Sequence, residues 1–478
     1  MDLISPRPIQ CGPVAALEIS LTDMDSLYRR ALTYQADSSV LFDALRDLPY
    51  PVFLDSAHPY SDRGRYDILS ASPLTIYKIN SASYGNKERL FRDVGSLLNE
   101  LAPLTEEADD LPFAGGIIGV FSYDGGRELE GIERRERDSD KNDQIQYQCP
   151  DFFAGLYSWA VIVDHHTRTR CLISHPATPA ALLADIEGRI AKKTNSKDLE
   201  FSLCSTISTN LDVDGYRTLF DKVQDYIRAG DCYQINLARR FEAQYLGHPW
   251  QAYQQLRRLA AAPFSAYLEM PECSILSFSP ERFLQVDNRE VLTTPIKGTA
   301  PRSAIPDNDS ALADALLASD KDRAENLMIV DLLRNDIGRC CEPGSIRVEK
   351  LFELQSFQTV HHLVSTIRGR LAEDQSPLQL LAACFPGGSI TGAPKHRAMD
   401  IIEELEPHQR SIYCGSVTYI SCHGKMDSNI AIRTLLCEAG KLYCWAGGGI
   451  VADSKVELEF EETWNKVGSL LTHLQKMR

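Results

Sequence analysis

Two pairs of carboxylates stand at the spacing that chemistry on an anionic ligand would use. Asp322 and Glu325 are three residues apart, as are Glu459 and Glu462, and both pairs fall in segments with helical patterning. A spacing of i, i+3 puts each pair on one helical face. Four carboxylates converging from two helices repel one another unless a hard cation lies between them. Mg²⁺ suits such oxygen ligands and keeps several waters for itself. Two solvated faces on an acidic protein explain the same spacing.

Single residues add further candidates. Lys297 lies in Thr294-Pro295-Ile296-Lys297-Gly298-Thr299. An amine pinned between apolar residues and a glycine turn loses water, and burial makes it a usable nucleophile. A surface lysine beside a turn is the plainer reading. Glu281 follows Ser279-Pro280 at the end of a strand-like run and could serve as a general acid. Arg433 lies opposite Ile430 and Ile432 in a strand-like run, as a bidentate carboxylate clamp would; an exposed face or a structural ion pair explains the same pattern. His361 and His362 are adjacent and lack the i, i+4 spacing of a zinc pair. One of them is a core histidine or a donor to substrate.

Two glycine-rich segments complete the set. Phe385-Pro386-Gly387-Gly388-Ser389-Ile390-Thr391-Gly392-Ala393-Pro394-Lys395 is not a phosphate loop, because Ala393-Pro394 separates the last glycine from the lysine. It could still bring backbone N–H groups to an anion ahead of a helix, or form a plain tight turn. Gly447-Gly448-Gly449 follows the apolar run Leu442 to Ala446. It permits close approach of a ligand to the backbone, or marks a bulge or hairpin corner.

The elements that must position these groups are legible from periodicity. Tyr216, Leu219, Phe220, Val223, Tyr226 and Ile227 predict an amphipathic helix that Gly230 stops. Helices are also expected over 320–333, 397–405 and 456–473, the last with glutamates at its start, as the macrodipole favours. Strands are expected over 51–54, 116–121, 160–163, 274–278, 283–286 and 417–421. The elements mix without a βαβ rhythm, which predicts an α+β fold of antiparallel sheets covered by helices. Polar stretches at Glu106 to Asp110 and from Ala191 to Asn210 read as a turn and a linker. A boundary near residue 205 divides an amino-terminal region (1–205) from a carboxy-terminal one (206–478).

Composition bounds the function classes. The chain has 478 residues with 50 Lys+Arg against 66 Asp+Glu, and its net charge of −16 repels phosphate backbones, so nucleic acid is not an expected partner. Thirteen cysteines include no C-x-x-C pair, which argues against a disulfide framework or a thiolate zinc site and fits a reducing cytoplasm. Met1 to Pro6 has no basic start, and no apolar run reaches membrane-spanning length, so neither a signal peptide nor a membrane helix is expected.

In this order, Gly230-Asp231-Cys232-Tyr233-Gln234-Ile235-Asn236-Leu237, Ser279-Pro280-Glu281-Arg282-Phe283, Pro295 to Thr299, Glu325 to Asp336, His362 to Ser365, Phe385 to Lys395, Ile432-Arg433-Thr434 and Gly447 to Ile450 resemble the chorismate-utilising enzymes. That family includes anthranilate synthase component I, aminodeoxychorismate synthase component I and the isochorismate synthases. The resemblance covers roughly residues 210 to 475. A looser one continues through Phe53-Leu54-Asp55-Ser56, Gly115 to Gly119 and Ser122-Tyr123-Asp124. Isochorismate formers generally lack this amino-terminal region, which ranks them lower. Lys297 stands where the anthranilate branch usually has alanine. It implies the branch that makes 4-amino-4-deoxychorismate for p-aminobenzoate and folate. Gln234 stands where isochorismate formers use lysine to activate water, and so fits ammonia.

The resemblance implies roles. Glu325 and Glu462 would hold Mg²⁺, with Asp322 and Glu459 beside them; Asp322 is shorter than the family's usual glutamate. Arg433, Tyr413 and the Gly449 backbone would fix the enolpyruvyl carboxylate, and Ser389 and Lys466 would also bind substrate. Lys297 would be the nucleophile, Glu281 the acid, His362 an assistant near the ring, and Gln234 the group that positions ammonia. Ammonia implies a glutamine amidotransferase subunit, since no cysteine here sits in a glutaminase nucleophile elbow. Ser56, Arg65, Tyr66, Pro263, Phe264 and Ser265 match parts of the family's tryptophan pocket, while Ala262 replaces its usual asparagine. Two alternatives remain: a pyruvate-eliminating anthranilate synthase component I, and a silent tryptophan-binding or amidotransferase-docking chain. Retention of Glu281, Lys297, Glu325, Arg433 and Glu462 argues against silence.

Overall fold

Most strands of this chain are buried on both faces, which is why they read as short apolar runs. Neighbouring residues of one strand point to opposite faces and so enter different cores. Ile275 and Leu436 join one hydrophobic cluster, while Leu276 and Leu435 join another. The computed structural model describes residues 26–80, 87–102, 104, 108–133, 135, 147–192, 199–357 and 360–477. Met1 to Pro6, Glu106 and Glu107 of the acidic turn, and residues 193–198 of the expected linker lie outside the described residues.

The strands among the described residues form a thirteen-stranded and a ten-stranded sheet. Every strand pairing among the described residues is antiparallel. With the helices packed on them, this is the α+β architecture expected from the sequence. Both sheets run across residue 205. In the larger, Val52–Asp55 pairs with Phe264–Glu269; in the smaller, Gly116–Phe121 pairs with Ser416–Ser421. The boundary near 205 therefore separates two stretches of sequence that share both sheets. The polar stretch before it contributes short strands at Ser202–Leu203 and Ser208–Thr209, both paired with Gln234–Leu246.

One cluster joins the sheets to each other, with Ile117, Val120, Val286 and Ile420 from the smaller sheet and Ile68, Leu268 and Ile275 from the larger. The other lies under helices Pro249–Ala260 and Val456–Lys476, where Trp250, Tyr253, Val467 and Leu471 meet Leu276, Phe278 and Leu435. Helix Val213–Ala229 starts at Asp212, whose side chain accepts from the Gly215 N–H, and ends at Gly230 with φ 82°. That left-handed conformation costs glycine little and other residues more. Helix Asp320–Gly338 starts at Ser319, whose hydroxyl accepts from the Asp322 N–H. It runs five residues past the expected end at Leu333.

Candidate active site

A cavity of about 660 Å³ gathers residues from strands, helices and loops that are distant in sequence. Strand Ile296–Pro301 brings Lys297, strand Val360–Arg370 brings His362, and helices Asp320–Gly338 and Val456–Lys476 bring the carboxylate pairs. Lys297, Glu281, His362, Arg433, Tyr413, Gly449, Ser389, Lys466, Asp322, Glu325, Glu459 and Glu462 all line it. Gln234 does not. It is buried behind Gly449, where a Cβ on that glycine would come within 2.2 Å of Gln234 Nε2.

The glycine run is neither bulge nor corner. Gly447, Gly448 and Gly449 continue strand Lys441–Ile450 and pair with Ala238, Leu237 and Asn236. A Cβ on Gly448 would stand 2.9 Å from Glu459 Oε2. The missing side chains let the helix carboxylates approach the strand.

Burial sets the protonation of the site. Glu281 is buried, and loss of hydration pushes its carboxyl up to about 7, although Lys297 and a 3.0 Å hydrogen bond donated by Ser389 Oγ favour the charged form. Lys297 keeps part of its surface on the cavity while protein packs around the rest. Burial lowers its amine, opposed by Glu325 and reinforced by Lys466. His362 is driven down to about 3 by burial and then by the Arg433 charge, so it is a neutral imidazole, with Nδ1 2.8 Å from Thr299 Oγ1. His361 faces elsewhere, against Asp309 and Ser356.

Arg433 adopts φ 50°, an uncommon conformation for an arginine. Burial pulls its guanidinium below its usual value, and no carboxylate pairs with it among the described residues. An arginine stays charged in such a setting. The site thus holds an uncompensated cation on one wall and a carboxylate group on the other.

On the carboxylate wall, lysines stand between the acids. Lys321 Nζ lies 3.4 Å from Glu459 Oε1 and 4.0 Å from Glu325 Oε1. Lys466 Nζ lies 2.6 Å from Glu462 Oε1 and donates to Gly447 O at 2.8 Å. Ser454 Oγ donates to Glu459 at 2.7 Å. Burial raises Glu325, whereas at Glu462 burial is outweighed by Lys466 and its carboxyl is lowered. No cluster of three or more histidine, cysteine or acidic side chains among the described residues forms a metal cage. The oxygen donors nonetheless fit Mg²⁺, which commonly takes one or two carboxylates and completes its shell with water and substrate.

The Phe385-to-Lys395 segment is fastened at both ends. Lys395 Nζ is 2.6 Å from Asp336 Oδ2 on the carboxylate-bearing helix and donates to Cys384 O at 2.9 Å. Between them the turn Gly388–Ile390 holds Ser389 against Glu281. Sequence reasoning singled out no role for Asn236, Thr299, Lys321 or Trp445, though all bear on the site. Asn236 follows Gln234 by two residues and therefore shares its strand face. Lys321 follows the helical spacing of Glu325, but its contact with Glu459 comes from another helix.

A second cavity, of about 290 Å³, lies between the sheets. Arg65, Tyr66, Pro263, Phe264 and Ser265 line it. Ser56 does not, and its hydroxyl donates to the buried Asp67 at 2.6 Å. Arg65 pairs with Asp164, and Arg282 pairs with Asp427 while lying over the Phe264 ring.

Residues 60–472 match the family described as chorismate binding enzyme. The chain is 46% identical to aminodeoxychorismate synthase component 1 of Escherichia coli over 453 residues, covering 91% of this chain and 95% of that protein. The crystal structure of anthranilate synthase component I from Streptococcus pneumoniae superimposes with a TM-score of 0.74 at 30% identity, covering 86% of this chain and 93% of that one. The menaquinone-specific isochorismate synthase of Escherichia coli matches with a TM-score of 0.71 at 17% identity, covering 94% of each chain. That last likeness concerns the fold alone. It corrects one expectation, because an isochorismate former can share the amino-terminal region; the region does not separate the branches. No helix among the described residues is long and apolar enough to cross a membrane.

Proposed function

The chain belongs to the chorismate binding enzymes, and we propose that within this family it exchanges the C4 hydroxyl of chorismate for an amino group, giving 4-amino-4-deoxychorismate. The observation that carries this reading is a partly desolvated amine, Lys297, in one cavity with a carboxyl that burial raises to about 7, Glu281. An elimination of pyruvate needs no such amine.

The Lys297 amine attacks C2, both double bonds of the conjugated ring diene shift (to C1=C6 and C4=C5), and the C4–O bond breaks. Glu281 supplies the proton with which that oxygen leaves as water, since hydroxide leaves poorly at neutral pH. Ammonia then attacks C4, both double bonds shift back, and the ammonium at C2 departs as the neutral Lys297 amine. A proton from the new ammonium is passed to the carboxylate of Glu281, which restores the acid. One difficult exchange becomes two easier displacements. Arg433 and Tyr413 hold the enolpyruvyl carboxylate, a bidentate guanidinium fixing orientation as well as charge. His362, being neutral, can border the ring without adding charge; Gln234 backs Gly449 and does not itself reach the cavity, so the ammonia-positioning role is not carried over to it. Glu325 and Glu462 would hold Mg²⁺, with Asp322 and Glu459 alongside; it would neutralise the ring carboxylate and withdraw electrons as a Lewis acid.

Ammonia would come from glutamine through a separate amidotransferase subunit, a reading supported by the "component 1" in the relatives' names. The twelve free cysteines among the described residues accord with a cytoplasmic setting. The second cavity, walled by Tyr66 and Phe264 and edged by ion pairs, would suit a zwitterionic aromatic ligand such as tryptophan; release of tryptophan on denaturing the purified chain tests that. For the reaction, the chain is incubated with chorismate, Mg²⁺ and ammonium. Aminodeoxychorismate without pyruvate is expected. Anthranilate with stoichiometric pyruvate would overturn the reading.

A further inference from the structure

Three walls of the active cavity hang on one buried cation that does not itself line it. Arg410 is 1% exposed, and Glu406 beside it is buried too. The guanidinium donates from Nε and Nη2 to Glu406 at 2.9 and 2.6 Å, and the same carboxylate accepts from the Ala238 N–H at 2.8 Å. Its remaining contacts go to the walls. Nη1 donates to the Ile390 carbonyl at 3.2 Å and Nη2 to the Asn236 carbonyl at 2.5 Å, while the guanidinium lies over the Tyr413 ring, 5.7 Å from its centroid. Ile390, Asn236 and Tyr413 all line the cavity. The guanidinium also lies 4.7 Å from the centroid of the Tyr123 ring, which comes from the amino-terminal region.

A guanidinium is a rigid planar fork, so holding it by both oxygens of Glu406 fixes where its other N–H groups point. One of them ends at Ile390, the last residue of the turn Gly388–Ile390. The residue before it, Ser389, donates its hydroxyl to Glu281 Oε1 at 3.0 Å. The turn's own bonds are long: Thr391 donates to Gly387 O at 3.2 Å and to Gly388 O at 3.3 and 3.4 Å. The turn therefore leans on its neighbours. We infer that Arg410 is a positioning residue: by holding the Ile390 carbonyl it keeps the Ser389 hydroxyl on the Glu281 carboxyl. It acts on Glu281 through Ser389. The inference rests on the chorismate reading, in which Glu281 is the acid, and adds the residue that aims it.

The test reads the acid rather than the fold, on the full chain with chorismate, Mg²⁺ and ammonium. The Ser389 bond favours the charged form of Glu281, so its loss raises the carboxyl further. Ser389→Ala should move the alkaline limb of kcat/KM up by about one pH unit, the size of one hydrogen bond to a charged group. Arg410→Lys keeps a charge for Glu406, but one ammonium cannot also span to Ile390 and Asn236. It should move the limb the same way, and no further when combined with Ser389→Ala. Arg410→Met with Glu406→Gln removes both charges together, leaves no carboxylate buried alone, and should give the same shift if the lysine variant folds poorly. The same quantity is read without turnover from melts. A higher carboxyl value in the folded state widens its gap to the unfolded one, so the advantage that Glu281→Gln gains between acid and alkaline pH should grow in the Arg410→Lys background. A lower Tm and lower kcat with the limb unmoved would make Arg410 a structural residue only and overturn the inference. Shifts that add in the combined variant, or a Ser389→Ala limb that stays in place, would overturn it too. A wild-type chain that does not convert chorismate would instead sink the functional reading, and the melts would still decide the role of Arg410.

Discussion

Replacing Glu281 by glutamine should abolish turnover and, at alkaline pH, stabilise the fold. The carboxyl titrates near 7 in the folded protein against about 4.5 unfolded. Between those values the folded state holds a proton that the unfolded state has lost, so stability falls as pH rises through this window and stays reduced above it. A gap of about 2.5 units at 1.36 kcal/mol each is about 3 kcal/mol. Glutamine is neutral throughout and can still accept from Ser389, so it escapes the loss. The advantage of Glu281→Gln over wild type should therefore grow by about 3 kcal/mol from pH 4.5 to pH 8. For a chain of this length, with an unfolding entropy near 2 cal/mol/K per residue, that is roughly 3 °C in Tm. Thermal melts of both proteins at a fixed scan rate across that range measure it. In activity, the step that needs the acid should fade above about pH 7, while protonation of Lys297 limits the acid side. A melting difference that does not change with pH would refute the claim that burial keeps Glu281 protonated, and with it the general-acid assignment.

Other consequences can be checked separately. Lys395→Met removes the 2.6 Å partner of the buried Asp336 and leaves it, among the described residues, only Arg339 at 3.7 Å; it should cost about 3 kcal/mol in urea unfolding, while adding Asp336→Asn should recover much of it. Arg433→Lys keeps the charge but loses the planar fork; KM for chorismate should rise about tenfold or more with a smaller change in kcat, and an unchanged KM would remove Arg433 from carboxylate binding. Removing Mg²⁺ with a chelator should abolish turnover and the protection that chorismate gives against heat unfolding, and re-addition should restore both. Protection that persists without the metal would contradict carboxylate-held Mg²⁺ as a bridge to substrate.

Local signals were strong in this sequence. The helix from Tyr216 to Ile227 with its stop at Gly230 followed from periodicity, because helix formation is decided within a few residues. Strand pairing was not legible. Val52–Asp55 lies beside Phe264–Glu269, more than two hundred positions away, and nothing in either segment names its partner. For the same reason a polar stretch that reads as a linker could be drawn into the larger sheet. The carboxylate spacing was legible on each helix, but Lys321 between Glu325 and Glu459 depends on how two helices meet. Gln234 was noticed through its family position, whereas Asn236, two residues on, reaches the cavity wall, a consequence of backbone placement that sequence spacing alone does not decide.

The most direct test of a lysine-mediated exchange is the intact mass of the protein after mixing with chorismate and Mg²⁺ in the absence of ammonia, followed by peptide mapping. The account predicts an adduct of chorismate less one water on the peptide containing Lys297, lost in Lys297→Ala and discharged to aminodeoxychorismate when ammonium is added. An adduct at wild-type level in Lys297→Ala, or undiminished turnover by that variant, would contradict it.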